Sequence, residues 1–446
     1  MAHISVDFQK PLGKIKPMHA VGQPPFGDVT HPMFHYLTEA NIPYSRLHDI
    51  GDPYVDIPYL FRDFDADETD PASYDFAFTD VLLTQMAKAN VKPIFRLGVT
   101  IENFYFIRSY HIDPPADPAK WARVCEHVIR HYNEGWADGY HLGIEYWEIW
   151  NEPENGEMGK NQMWTGTDEQ YFELYDVTAK HLKACFGDSI RVGGFAATSF
   201  RYIFSDPARF GLDGIVPRTG DRYTAPKEKR RERFHRGFFE YIRAHGSPLD
   251  FFTWHSYESV EDTEIMADFA DRLLTEYGYG EVETHLNEWN NAARVKRICG
   301  SAYASAAAGA MMIAMHAKKT DMLCYYDARF GFGEYAGMIN VLTAEPHCLY
   351  HTFRAFGYLY ELGTQVMCEY ERRDGLYAIA ATDECRQAML VVNFSEKSRI
   401  LETNLSEEFT LALIDEENAL TPAGHNPACF PLAPNQVALI TKGASR

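Results

Sequence analysis

Several features that mark whole classes of protein are scarce in this chain of 446 residues. Its eight cysteines, Cys125, Cys185, Cys299, Cys324, Cys348, Cys368, Cys385 and Cys429, are scattered, and no pair has C-x-x-C spacing. That argues against a zinc site and against a redox dithiol. Cysteines lying in apolar runs are expected to be buried free thiols. Basic residues are outnumbered, 42 Lys and Arg against 63 Asp and Glu, for a net charge of -21. Such a balance disfavours nucleic acid and anionic membrane surfaces as partners. No apolar run is long enough to span a bilayer, and the opening MAHISVDFQKP has no signal-like segment. The expectation is a cytoplasmic location, although a chain whose signal had been removed would read the same. No G-x-G-x-x-G follows the first strand-like segment, which lowers the doubly wound nucleotide-binding sheet as a fold. Internal repeats and low-complexity linkers are also lacking.

What is present is a long alternation of strand-like and helix-like segments. Strand patterns fall at 14–21, 44–50, 91–98, 144–150, 190–196, 251–257, 282–288 and 322–326. Helical patterns lie between them, the best marked being 167–186, where Thr167-Asp-Glu-Gln170 is a capping box and Gly187 a stop. A polar, basic excursion covers 201–233, and a last helix 349–361. Strands alternating with helices imply parallel pairing, and eight such units close a (β/α)8 barrel. After Gly363 the texture changes to short strands at 366–370, 376–381, 388–394, 409–414 and 437–441. These predict a small antiparallel β-sandwich that borrows a strand at 4–8. The expected domains are a catalytic barrel over 11–347 and a sandwich over 1–10 plus 364–446, joined by helix 348–363.

Two strands end alike. Ile144–Glu154, IEYWEIWNEPE, is aromatic and β-branched up to Trp150, then breaks off at Asn151-Glu152-Pro153. Val282–Asn291, VETHLNEWNN, again ends in Asn-Glu, at Glu288. Either could be an ordinary polar strand end. Together they suggest the carboxyl pair of a glycosidase, in which one group protonates and the other attacks or activates water. Barrel active sites lie at the C-terminal ends of the strands, so polar residues there are the other candidates. Arg46 and His48 end the second strand, two apart and therefore on one face, with Asp49 as an alternative ion-pair partner. Arg96 ends the third, where it could serve as a buried partner of Glu152 or Glu288. His255 and Tyr257 end the sixth, and Tyr326, Asp327 and Arg329 the eighth. Glu154, Glu258, Glu283 and Glu334 are expected to be loop, surface or supporting groups. Trp164, Phe104 and Phe330 could stack on sugar rings or simply pack.

On these residues the chain resembles glycoside hydrolase family 39. The carriers are R-x-H at Arg46 and His48, WNEP at Trp150–Pro153, the EQYFELYDVTAKHLK helix, H-x-Y at His255 and Tyr257, and LNEWN on the seventh strand. The resemblance implies a retaining glycosidase with Glu152 as acid/base and Glu288 as nucleophile. It also implies that Asn151 bonds the sugar 2-hydroxyl and that His48 and His255 touch the sugar. Arg46, Tyr257, Tyr326 and Arg329 complete the expected substrate-binding set. The family includes β-xylosidases and α-L-iduronidases. This chain departs from the xylosidases at strand eight, where Tyr326 stands in place of a tryptophan, and in the acidic loop after strand two.

The expected function is exo-cleavage of a terminal neutral pentoside, a β-xyloside or an arabinoside, from an oligosaccharide or glycoside. A uronide glycosidase with Arg329 on the sugar carboxylate is the alternative. A non-catalytic carbohydrate-binding barrel is a third reading, disfavoured because both glutamates are kept. No metal or organic cofactor is implied, and association into a homo-oligomer is left open. A retaining enzyme can also pass its sugar to an alcohol, so transglycosylation stays beside hydrolysis.

Overall fold

The computed structural model describes residues 2–23, 33–50, 53–100, 112–158, 161–292, 300–328, 335, 337–340 and 343–443. Eight parallel strands close a barrel: β2 (Ala20–Gly22), β3 (Tyr44–Leu47), β4 (Lys92–Leu97), β5 (Tyr146–Ile149), β6 (Arg191–Ala197), β7 (Phe251–Ser256), β8 (Glu283–Trp289) and β9 (Met322–Tyr325). Closure is made by β9 against β2, with Cys324 beside Ala20 and Tyr325 beside Val21. Helices cover the outside, so the strands are buried on both faces and read as near-continuous apolar runs. The connections hold α1 (Phe34–Glu39), α2 (Ile57–Leu60), α3 (Ala77–Lys88), α4 (Pro118–Asn133), α5 (Asp168–Phe186), α6 (Asp221–Thr224), α7 (Pro226–His245), α8 (Val260–Glu276) and α9 (Ala302–His316).

Helix α5 starts as its sequence predicts. The Thr167 N–H donates to Gln170 Oε1 at 2.9 Å, and the Gln170 N–H to Thr167 Oγ1 at 3.2 Å. Gly187 closes it in the left-handed region, at φ +54°. Helix α7 departs from expectation. It begins at Pro226, inside the segment read as an irregular basic excursion. Proline is pre-organised for a first helical turn, and the Lys, Arg and Glu residues that follow are good helix formers.

The barrel interior is layered. Its lower end is plugged by Ala20, Ile94, Tyr146, Phe251, Met322 and Cys324. Residues two further along a strand point the same way, so Glu148 stands one layer above Tyr146, and the ends of β5 and β8 open above that.

Strand β1 (Ala2–Lys14) lies outside the barrel, antiparallel to β10 (Thr364–Tyr370). The sequence pattern placed a short strand at 4–8 and a barrel strand at 14–21. Instead Lys14 is used in pairing with Thr364, and the first barrel strand shrinks to Ala20–Gly22. Beyond α10 (Cys348–Leu362) come β11 (Leu376–Thr382), β12 (Gln387–Asn393), β13 (Arg399–Thr403), β14 (Thr410–Ile414), β15 (Ala419–Ala423), β16 (Cys429–Leu432) and β17 (Val437–Lys442). They form a nine-stranded sheet in the order β15-β14-β17-β12-β11-β10-β1-β13-β16. Only the β1–β13 contact is parallel.

Alternate residues of β11 and β12 serve two cores. Tyr377, Ile379, Leu390 and Val392 join the barrel core, while Ala378, Ala380, Met389 and Val391 face the sheet's own core. Leu411 of β14 and Leu432 of β16 meet in that second core, so the sheet curls over itself as the sandwich reading requires. Strands β13, β15 and β16 were not anticipated. They are short; β15 and β16 form the two edges, with β13 next to β16, and Pro422 and Pro431 interrupt the pattern of β15 and β16, as edge strands permit.

Candidate active site

At the mouth of β5 the backbone turns sharply. Trp150 and Glu152 both take left-handed φ values, +73° and +45°. For non-glycine residues that conformation costs about 1–3 kcal/mol and persists only where the surroundings impose it. Here they do. The Trp150 N–H donates to Leu97 O and its indole Nε1 to Met163 O, both at 2.8 Å, and its ring is wedged between Trp121 and Trp164. Gly98 makes room, because a Cβ there would lie 3.1 Å from Trp150 Cα. The Glu152 N–H points at the carbonyls of Phe195 and Ala196, 3.2 Å from each. The result aims the Glu152 carboxyl across the barrel mouth.

Glu288, one residue before the end of β8, lies directly beside His255 of β7, where the ladder shifts register. His255 Nδ1 is 2.7 Å from Glu152 Oε1 and its Nε2 is 3.7 Å from Glu288 Oε2. A carboxylate oxygen of each glutamate and a ring nitrogen of His255 all lie within 4.8 Å of one another. Tyr257 donates its hydroxyl to Glu288 Oε1, and Asn155 Nδ2 donates to Glu152 Oε2 at 2.6 Å.

Beneath the pair, Arg46 of β3 is fully enclosed and spends its fork three ways. Nε donates to Glu148 Oε2 at 2.7 Å, Nη2 to Asn151 Oδ1 at 2.6 Å and Nη1 to Glu288 Oε2 at 3.2 Å. Asn287 Nδ2 donates to the other oxygen of Glu148 at 2.5 Å. Glu148 was not singled out from the sequence, although a lone carboxylate inside a buried aromatic strand is a usable signal. His48 Nε2 is 3.1 Å from Asp49 Oδ1, and Tyr326 donates to Asp49 Oδ2 at 3.1 Å. Tyr257, Tyr326 and Tyr335 meet ring to ring.

These groups line a cavity of about 360 Å³, walled by His48, Asp49, Asn151, Glu152, Tyr257, Glu288, Tyr326 and Tyr335 and also by Asn155, Thr198, Arg201, Lys227 and Arg231; Asn155 donates to Glu152 and Arg231 to Asn155. None of the latter five was singled out from the sequence; Arg201, Lys227 and Arg231 fall within the polar, basic excursion 201–233.

Other candidates are placed elsewhere. Arg96 pairs with buried Asp56 at 2.5 Å and reaches neither glutamate through its bonds. Glu283 starts β8 at the opposite end of the barrel, on Arg191 and Tyr146. Glu258 is buried and accepts from Arg201 and Arg222. Trp164 is enclosed, its indole donating to Thr167 O at 2.9 Å, so it is packing and not a sugar platform. Arg329, Phe104, Phe330, Glu334 and Cys299 lie outside the described residues.

The family model for glycosyl hydrolases family 39 matches residues 3–326. The chain belongs to that family. Among its relatives are a beta-xylosidase of Geobacillus stearothermophilus, 25% identical over 260 residues, and one of Caldicellulosiruptor saccharolyticus, 24% identical over 275. Those stretches cover 49% and 57% of this chain, and 49% and 47% of the relatives, so the match spans about half their length. A glucosidase structure from Croceicoccus marinus superposes with a TM-score of 0.79 at 18% identity, covering 100% of this chain and 99% of its own. A monomeric beta-xylosidase from Caulobacter crescentus gives 0.70 at 14%, covering 100% of both. These two establish the fold. No helix among its described residues is long and apolar enough to cross a membrane.

In this family 39 barrel the two glutamates differ in electrostatic setting. Burial pushes the Glu152 pKa up to about 8, and the negative charge of Glu154 adds to the shift. Burial also raises Glu288, but the Arg46 charge opposes the rise. Arg46 and Tyr257 both donate to Glu288 and neither to Glu152, so a single shared proton belongs on Glu152. Burial lowers the His255 pKa, which keeps the ring neutral. With Glu152 protonated and donating to Nδ1, the one ring N–H is Nε2–H, facing the Glu288 charge.

Glu154, read from the sequence as a loop residue, is completely buried. Burial works against its charge, but His235 at 3.1 Å and the Thr198 N–H and Oγ1 at 2.7 and 2.9 Å hold its pKa below the ordinary value. It is thus a fixed anion behind Glu152. Activity that needs protonated Glu152 should fall as pH rises through about 8. Glu154→Gln removes the repulsion that makes ionised Glu152 costly. The basic limb of kcat/KM against pH should therefore move to lower pH, while the acidic limb moves less. A basic limb that stays in place in a variant with unchanged thermal melting would show that Glu154 has no influence on that proton.

Proposed function

We propose that the protein is a retaining, exo-acting glycosidase that releases a terminal neutral pentose, as xylose or arabinose, by double displacement. The observation that carries this reading is the approach of Glu152, Glu288 and His255 oxygens and nitrogens within 4.8 Å. Retaining pairs stand about 5–5.5 Å apart, whereas inverting pairs need roughly 6.5–9.5 Å to admit a water. Glu288 attacks the anomeric carbon as Glu152 gives its proton to the glycosidic oxygen. The leaving group departs, and the sugar is held as an ester of Glu288. Glu152, now a carboxylate, takes a proton from water as that water attacks the same carbon and frees Glu288. Arg46 occupies Asn151 Oδ1, which leaves Asn151 Nδ2 to donate to the 2-hydroxyl.

A neutral sugar suits the wall around Glu288. Asp49 stands there beside His48 and Tyr326 and is fitted to accept from sugar hydroxyls. A sugar carboxylate in that place would face Asp49 and Glu288. The names of the two beta-xylosidase relatives favour a pentose as well.

A panel of 4-nitrophenyl glycosides, including β-D-xylopyranoside, α-L-arabinofuranoside, β-D-glucopyranoside and β-D-glucuronide, tests the sugar. Pentosides are expected to react fastest. Turnover of the uronide with silence on every pentoside would overturn the preference. Proton NMR of the first product tests the mechanism: the substrate's anomeric configuration is expected, and an inverted first product would rule out double displacement.

A further inference from the structure

The cavity has two unlike sides. Asp49, His48 and the tyrosines line it with Glu288; Arg201, Lys227 and Arg231 line it too, all three acting on Glu228, and Arg231 reaches Glu152 through Asn155. Three cations on one wall stand out in a chain of net charge -21. They act within reach of one another, since all three lower the pKa of the same buried carboxyl, Glu228. The wall is continuous with the general acid. Arg231 Nη2 donates to Asn155 Oδ1 at 3.2 Å, and Asn155 Nδ2 donates to Glu152 Oε2 at 2.6 Å.

Ion pairing within the protein does not use these cations up. Arg201 gives only Nε, to Glu258 Oε1 at 2.5 Å, and its two Nη groups have no acceptor among the described residues. Glu258 is shared with Arg222. Arg231 spends Nη1 on Glu228 and Nη2 on Asn155, and its buried Nε has no acceptor among the described residues. Lys227, at the start of α7, is exposed and has no acidic partner among the described residues. Folding alone would be served by one arginine per carboxylate. An open guanidinium fork beside a free ammonium is the arrangement that recognises a planar or tetrahedral oxyanion.

The place of this wall says which part of a substrate it meets. The group that Glu152 protonates is the glycosidic oxygen, so what lies past Glu152 is the leaving group and not the sugar held on Glu288. We propose that the leaving-group side of the cavity takes an anionic sugar, one bearing a carboxylate or a sulfate, gripped by Arg201 and Lys227, with Arg231 adding its field. This rests on the retaining mechanism above and adds the class of the second sugar.

The experiment runs the second half of the reaction. The wild-type enzyme is trapped with the 2,4-dinitrophenyl 2-deoxy-2-fluoro glycoside of whichever sugar the nitrophenyl panel identifies. Excess reagent is removed, and nitrophenol-releasing activity is followed as it returns with D-glucose, D-glucuronate or glucose 6-sulfate. An acceptor hydroxyl attacks the anomeric carbon, the ester bond to Glu288 breaks, and the hydroxyl proton passes to Glu152. A charged hydrogen bond of about 1.5–3 kcal/mol predicts reactivation about tenfold faster, or more, with an anionic acceptor than with glucose. The preference should shrink in about 0.5 M NaCl, where screening is short-ranged. It should fall towards unity in Lys227→Ala, a surface change that leaves the fold intact, and in Arg201→Gln. The faster of glucuronate and glucose 6-sulfate identifies the oxyanion. Equal reactivation by all three acceptors overturns the proposal, as does a preference that survives both substitutions. Failure to trap any glycosyl-enzyme would instead sink the retaining mechanism, and this inference with it.

Discussion

Glu288→Ala is expected to lose activity on every substrate by on the order of 10⁶-fold, the scale on which removal of a covalent nucleophile acts. Every route through the proposed mechanism forms an ester on Glu288, so a better leaving group cannot bypass the loss. The side chain is also one of three acceptors of the buried Arg46 fork, and its removal leaves Nη1 without that partner. Since Glu148 and Asn151 still hold Arg46, the barrel should stay folded, and a thermal melt separates lost chemistry from lost structure. The measurement is kcat/KM on a dinitrophenyl glycoside and on an alkyl glycoside of the same sugar. A variant that keeps even a hundredth of wild-type activity on the dinitrophenyl substrate would remove Glu288 from the role of nucleophile.

Glu152→Ala should behave differently from substrate to substrate. General acid–base catalysis contributes about 10²–10⁴-fold, and alkyl glycosides, whose leaving groups need the proton, should lose all of it. Dinitrophenyl glycosides need no proton to depart, so their first step should survive and the intermediate should accumulate as a burst. Hydrolysis of that intermediate lacks its base. Azide needs none, and adding it should restore turnover and yield a glycosyl azide of retained configuration. In the Glu288 variant azide would attack the substrate itself from the opposite face, and any azide formed would be inverted. The configuration of that product thus assigns the two glutamates independently of rates. Equal losses for the two variants across activated and unactivated substrates would argue against the division of roles.

What the sequence by itself determined is what short-range physics writes into a chain. The eight barrel strands are legible because parallel strands covered on both faces must be apolar throughout. Helix α5 is legible because Thr167 and Gln170 satisfy each other's backbone donors locally. The two Asn-Glu strand ends stand out because a buried strand that stops on an amide and a carboxylate breaks its own pattern. Boundaries failed where pairing partners decide them. Lys14 belongs to the outer sheet because Thr364 is there to pair with it, and β15 and β16 form despite their prolines because a neighbour is waiting at the edge.

Only the tertiary structure decided who meets whom at the site. Arg46 and Glu288 are 242 residues apart, and nothing local to either predicts their bond. Glu154 looks like a loop carboxylate until barrel closure brings His235 and Thr198 around it. Arg201 and Lys227 read only as part of a polar, basic excursion until the fold brings both to the wall of the cavity. Composition and periodicity record how much of a segment is buried and with what period. A shared proton, a raised pKa or an open guanidinium fork depends on distances and on the dielectric that closure creates, and those exist only once distant segments are packed together.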